Sequence, residues 1–178
     1  MPIKLFIGTS ITPLLAEQIA LRSEPLSGMG HWRWSPRLQW HITALFIGQR
    51  DEADVQKISL AVEKVCLKCG PVILDNGQLV AMPDARQSML WVRFNPSDVL
   101  SSLHHALARA TSTPPSPHQP YMPHITLARG KTELPIEGAP VVVPSVILQE
   151  LTLFRSDPGT AGTIHTPLGT WPLATASA

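Results

Sequence analysis

The chain is poor in what several functional classes require. It has only two cysteines in 178 residues, spaced as Cys66-x-x-Cys69. A zinc site would need two further ligands at short spacing, and none follows. Charge of one sign is also lacking. Fourteen Lys and Arg face thirteen Asp and Glu, so no net field steers the chain toward a nucleic-acid lattice, and any RNA contact is expected to be short and local. Long apolar runs are missing too. The stretch Ile3, Leu5, Phe6, Ile7 near the start is too short for a signal peptide or a membrane span, which places the protein in the cytoplasm and off membranes. The acids are scattered, with no carboxylate cluster for a divalent ion.

What is present suits one compact unit over residues 1–178. A hydrophobic fraction of 44% is enough to bury a core, in one domain or two small lobes sharing it. Strands and helices alternate along the chain. Residues 3–8 read as a strand, and Thr12-Pro13 as the cap and first residue of a helix that ends near Arg22. A strand over 40–48 precedes a helix over 51–69, where Val55, Ile58, Val62, Val65 and Cys69 recur at threes and fours with Cys66 beside them. Both thiols then act as small core hydrophobes. Strands are expected over 72–80 and 88–94, and a helix over 97–110 carrying Leu100, Leu103 and Leu107. Residues 113–123 are proline-rich and aperiodic, hence a loop. Strand candidates at 124–128, 147–154 and 163–168 complete the chain.

One short pattern occurs twice: His41-Ile42-Thr43 and His124-Ile125-Thr126, each opening an apolar strand after a helix-containing unit. Alternate side chains of a strand share a face, so each motif presents an imidazole and a hydroxyl together while its isoleucine faces the packed side. The repetition suggests lobes related by an approximate two-fold axis. If their strands meet at that axis, both histidines and both threonines face one cleft.

Such a cleft fits in-line displacement at phosphorus, as in the opening of a cyclic phosphate. One group must take a proton from the attacking water while another gives one to the departing oxygen. Imidazole titrates near neutrality, so a pair of rings can divide these roles without large environmental shifts. Thr43 and Thr126 can donate to non-bridging oxygens, and Arg129, five residues beyond His124, adds a fixed positive charge. Neither a metal nor a cofactor is called for.

These residues resemble the two-histidine (2H) phosphoesterase superfamily, in its RNA 2′,3′-cyclic phosphodiesterase branch, also called 2′-5′ RNA ligase-like. The resemblance runs nearly end to end. It is carried by Arg33-Trp34-Ser35-Pro36, by Trp40 through Gly48, by Pro123 through Arg129, by Leu153 through Ser156, and by the tail around Pro167-Leu168 and Trp171-Pro172-Leu173. It implies an α+β, bilobal 2H phosphoesterase fold, with antiparallel strands lining a central cleft and helices outside. It further implies hydrolysis of a terminal 2′,3′-cyclic phosphate to a 2′-phosphate. His41 would be the proton donor to the 3′ oxygen and His124 the acceptor from water, with Thr43, Thr126 and Arg129 on the phosphate. Two positions depart from the branch: Leu45 stands where relatives often carry Arg, and His165 where many carry Tyr.

The expected substrates are RNA 3′ ends or small cyclic-phosphate nucleotides, with no obligate protein partner. Alternatives are end-joining by the same groups in reverse, a 2′-5′ or other cyclic nucleotide substrate, and a non-catalytic RNA-end-binding module. His104 and His105 read as exposed or partly packed helix residues, and His31 and His118 as loop residues without chemistry. Trp32, Trp34 and Trp40 are candidates to stack a base.

Overall fold

The computed structural model describes residues 1–28, 31–83, 88–117, 121–131, 143–160 and 162–174; His118 lies outside them. Ten strands and three α-helices are found among these residues: β1 (Pro2–Ser10), α1 (Pro13–Ser23), β2 (His31–Trp34), β3 (His41–Asp51), α2 (Val55–Cys66), β4 (Val72–Leu74), β5 (Gln78–Pro83), β6 (Ser88–Arg93), α3 (Asp98–Ala110), β7 (His124–Lys131), β8 (Val146–Leu148), β9 (Glu150–Gly159) and β10 (Gly162–Pro172). The caps are those the sequence announces. The Thr12 hydroxyl accepts from the Leu15 amide, and the Ser97 hydroxyl from that of Leu100, so α1 and α3 begin where expected.

Three boundaries differ from expectation. β3 runs on to Asp51, and α2 starts only at Val55 and stops at Cys66, which leaves Cys69 outside the helix and half-buried. The apolar run 72–80 is two strands. Asp75-Asn76-Gly77 breaks it, with Asn76 at φ +54°, and β4 leaves the main sheet to pair with β8. Residues 147–154 are likewise divided between β8 and β9, while β10 extends past its expected limits at both ends.

All main-sheet pairings are antiparallel, in the order β10-β9-β1-β3-β7-β6-β5, with β2 also on β7. The two motif strands are central neighbours. They share one register pair, Ile42 with Ile125, while β1, β9 and β10 extend one half and β6 and β5 the other. This is the mixed α+β, two-lobed arrangement expected, with a near two-fold relation between the halves. Ile42 and Ile125 are both buried, in one core cluster with Leu100, Leu103 and Leu107 of α3 and Ile58, Val62 and Cys66 of α2. The helices thus cover one sheet face and leave the histidine face open. No helix among the described residues is long and apolar enough to cross a membrane.

Each motif strand contains a bulge at the same place. In β3, Gly8 pairs with Thr43 and Ile7 with Leu45, so Ala44 is the extra residue; in β7, Trp91 pairs with Thr126 and Leu90 with Ala128, so Leu127 is. An extra residue reverses the alternation. Ala44 and Leu45 are consequently both buried, as are Leu127 and Ala128, and the next residues, Phe46 and Arg129, return to the histidine face.

Candidate active site

A cleft of about 270 Å³ opens on that face, and it collects His41, Thr43, His124, Thr126 and Arg129. All five residues singled out from the sequence therefore line one cavity. Its other walls include Lys4, Phe6, Arg33, Trp34, Gln39, Phe46, Ser156 and His165. Arg33 stands opposite Arg129 in the β2–β7 ladder. β2 lies so close that a Cβ at position 130 would run into the His31 carbonyl, hence glycine there. Lys4, Arg33 and Arg129 lie among the lining residues and no carboxylate does, so a chain of balanced charge has a locally cationic cleft.

The imidazoles are oriented alike. His41 Nδ1 lies 2.7 Å from the Gln39 carbonyl oxygen, and His124 Nδ1 lies 2.9 Å from that of Met122. A carbonyl only accepts, so each Nδ1 carries the proton and each Nε2 is the nitrogen left for chemistry. Identical local contacts, each to the carbonyl two residues upstream, set the tautomer twice.

The surroundings differ. His41 is wedged against Phe6, with ring centroids 4.7 Å apart, and meets His165 edge-on at 4.9 Å. Burial, with smaller contributions from His165 and His124, lowers its pKa to about 4, despite the opposing pull of the Gln39 carbonyl. His124 stacks on Trp91 at 3.8 Å, and its pKa is lowered by burial and by the Arg129 charge. The expectation that neither ring needs a large shift is therefore corrected. Both are neutral in the empty cleft at pH 7, because the apolar rings around them exclude the water that would solvate a cation.

Other readings divide. Of the three candidate stacking tryptophans, Trp34 lines the cleft, whereas Trp40 is a core residue whose indole donates to the Ser35 carbonyl. His31 is exposed on β2 and not in a loop. His104 is 1% exposed, contrary to the expectation for a helix surface. Cys66 is buried, which pushes its thiol up to about 12; burial raises Cys69 as well, so neither is a thiolate at neutral pH. Among the described residues no group of three or more His, Cys, Asp or Glu could hold a metal ion.

Leu45, one departure from the family pattern, is 1% exposed and touches the core, while the cleft position on that strand belongs to Phe46. His165, the other, does line the cleft. Its amide donates to the Gln39 side-chain oxygen, and its Nδ1 is buried without a hydrogen-bond partner among the described residues. Phe46, Phe6 and Trp91 went unnoticed in the sequence. For Phe46 a signal existed: it stands five residues after His41, as Arg129 does after His124.

Comparison with known proteins agrees with this geometry. The chain is 27% identical over 161 residues to the RNA 2′,3′-cyclic phosphodiesterase of Bacillus subtilis, covering 84% of this chain and 86% of that one. E. coli LigT complexed with 3′-AMP superposes with a TM-score of 0.79 at 23% identity, over 98% of this chain and 100% of that one. TT0787 of Thermus thermophilus gives 0.77 at 21%, with the same coverage. The structural likenesses establish the fold. A family model, that of the 2′-5′ RNA ligase superfamily, matches residues 18–156. With paired His-x-Thr strands facing one cationic cleft, the chain belongs to the 2′-5′ RNA ligase superfamily of two-histidine phosphoesterases.

Proposed function

We propose that this chain is a phosphodiesterase that hydrolyses the 2′,3′-cyclic phosphate at an RNA 3′ end to a 2′-phosphate. The observation that carries the reading is the matched pair of imidazoles, each with Nδ1 tied to backbone and Nε2 free to act, in one cleft that holds cations and no carboxylate. The relative from Bacillus subtilis, named for this activity, supports the substrate class.

In the proposed reaction, water attacks phosphorus as the bond to the 3′ oxygen breaks. His124 Nε2 takes the water proton, and His41, as the imidazolium, gives its Nε2 proton to the leaving oxygen. Arg129 lowers the His124 pKa, which suits a base. His41 must gain a proton first. A bound phosphodiester carries the negative charge that offsets its burial and raises its pKa, so protonation of His41 accompanies substrate binding. Thr43 and Thr126 donate to the non-bridging oxygens and Arg129 supplies a charge that does not titrate. Phe46 and Trp34 offer ring faces to the nucleoside.

The test is incubation with an RNA bearing a 2′,3′-cyclic end, with products identified against 2′- and 3′-phosphate standards. A 2′-phosphate is expected. A 3′-phosphate would reverse the two histidine roles, and an uncleaved substrate would overturn the reading.

A further inference from the structure

The bulge that turns Phe46 into the cleft is held from outside its strand. A bulge interrupts the ladder, and backbone groups there need partners from elsewhere. The carbonyls at this point have them. The Tyr121 hydroxyl donates to the Thr43 carbonyl at 2.9 Å, and His104 Nδ1 donates to the Ala44 carbonyl at 2.7 Å. The two donors are themselves stacked, with centroids 4.3 Å apart and planes 15° from parallel. His104 is fully committed, since its Nε2 accepts the Ser116 amide at 2.9 Å. Accepting at one nitrogen and donating at the other requires the neutral ring, which burial favours.

This pair also reaches the second motif. Tyr121 lies three residues before His124, in the run whose Met122 carbonyl sets the His124 tautomer. The motif strands share only the pair Ile42 with Ile125, so the ladder alone leaves their relative tilt weakly specified. His104, on α3, bonds to β3 beneath the first motif and stacks on the approach to the second.

We propose that His104 and Tyr121 are positioning residues for catalysis, a stacked clamp that fixes the Ala44 bulge and thereby the aim of Thr43 and His41 relative to His124. This rests on the phosphodiesterase reading, yet it assigns function to two residues that never touch substrate. Their effect is on geometry at the reacting atoms, where displacement of an ångström costs up to ~10²-fold. A merely structural pair would affect stability alone.

Tyr121→Phe keeps the stack and removes one hydrogen bond, so the fold should survive. Its kcat on the cyclic-phosphate RNA should fall about 5- to 10-fold with KM within about twofold, by the same sensitivity to position. His104→Leu should lose more, and His104→Gln, whose carboxamide has both a donor and an acceptor, should recover part of it. The imidazole Hε1 resonances of His41 and His124 should move in each variant, in the free protein without substrate. Folded variants with wild-type kcat and unmoved resonances overturn the clamp, as does a loss confined to KM. If the wild-type chain leaves cyclic phosphate intact, the functional reading fails by itself, and the resonances alone decide: moved they support the clamp, unmoved they overturn it.

Discussion

The two lobes present the same backbone and different company. His41 and His124 share a strand position, a tautomer and a bulge three residues on, but one ring sits between Phe6 and His165 and the other on Trp91 beside Arg129. At the equivalent position after the bulge one lobe has a phenyl ring and the other a guanidinium. A repeated backbone supplies the reacting pair. What distinguishes its members is the residue each lobe places alongside, and so the symmetric frame can run an asymmetric reaction.

The most severe way to break the comparison is to remove either ring. His41→Ala and His124→Ala should each lower kcat by at least about a hundredfold, the ordinary scale for general acid–base groups. The double variant should be far less than multiplicatively worse, since both rings serve one step. Steady-state turnover, with circular dichroism to confirm folding, checks this; near-wild-type turnover in either folded variant would refute the proposed mechanism.

Next in size is the asymmetry after the bulge. Arg129→Ala should lower kcat/KM roughly 10- to 100-fold by removing charge stabilisation at phosphate. Phe46→Ala should cost less, about 3- to 10-fold and mainly in KM, because a stacking surface binds substrate and transition state alike. Equal losses at both positions would mean the lobes divide phosphate and nucleoside differently.

A smaller and more discriminating effect lies in pH. The kcat/KM profile reports the free protein, where both rings are shifted downward, so its maximum should fall below pH 6.5. The kcat profile reports the complex and should peak at higher pH. Binding of phosphate at pH 7 should take up a proton, read as a dependence of binding heat on buffer ionisation. Coincident profiles without proton uptake would place the acid elsewhere.

The smallest expected changes concern stability and metal. A histidine whose folded pKa is below its unfolded value destabilises the fold as pH drops, because the unfolded chain binds the proton first. For His41, at about 4, the loss should build between about pH 6.5 and pH 4 and reach on the order of 3 kcal/mol. Added phosphate should reduce it. Exhaustive chelation should leave turnover unchanged, and activity restored only by added metal would contradict the residue-only mechanism.

Much of this was legible in the sequence because it depends on local rules. The caps at Thr12 and Ser97 and the two His-x-Thr strands follow from residue type and period, and the five candidate residues line a common cleft. What escaped depends on pairing between distant segments. No count along β3 reveals that Ala44 lies opposite nothing, so Leu45 invites a cleft reading while Phe46 holds the place. The same holds for His104. On its helix it flanks the leucine stripe, and only the approach of β3 and residues 113–117 turns it into a buried, doubly bonded ring. Ionisation was misjudged for a related reason, since the depression of His41 comes from Phe6 and from burial that the motif does not encode.

The paired bulges also limit how this chain can change length. Loss of Ala44 would restore strict alternation, turning Leu45 toward the cleft and Phe46 into the core; loss of Leu127 would do the same to Ala128 and would drive the Arg129 guanidinium among buried aliphatic side chains. Neither bulged residue lines the cleft, so each tolerates exchange for another apolar side chain of similar volume. Deletion is another matter. These are positions where the presence of a residue matters more than its identity, and a single-codon loss there would do what no conservative replacement does.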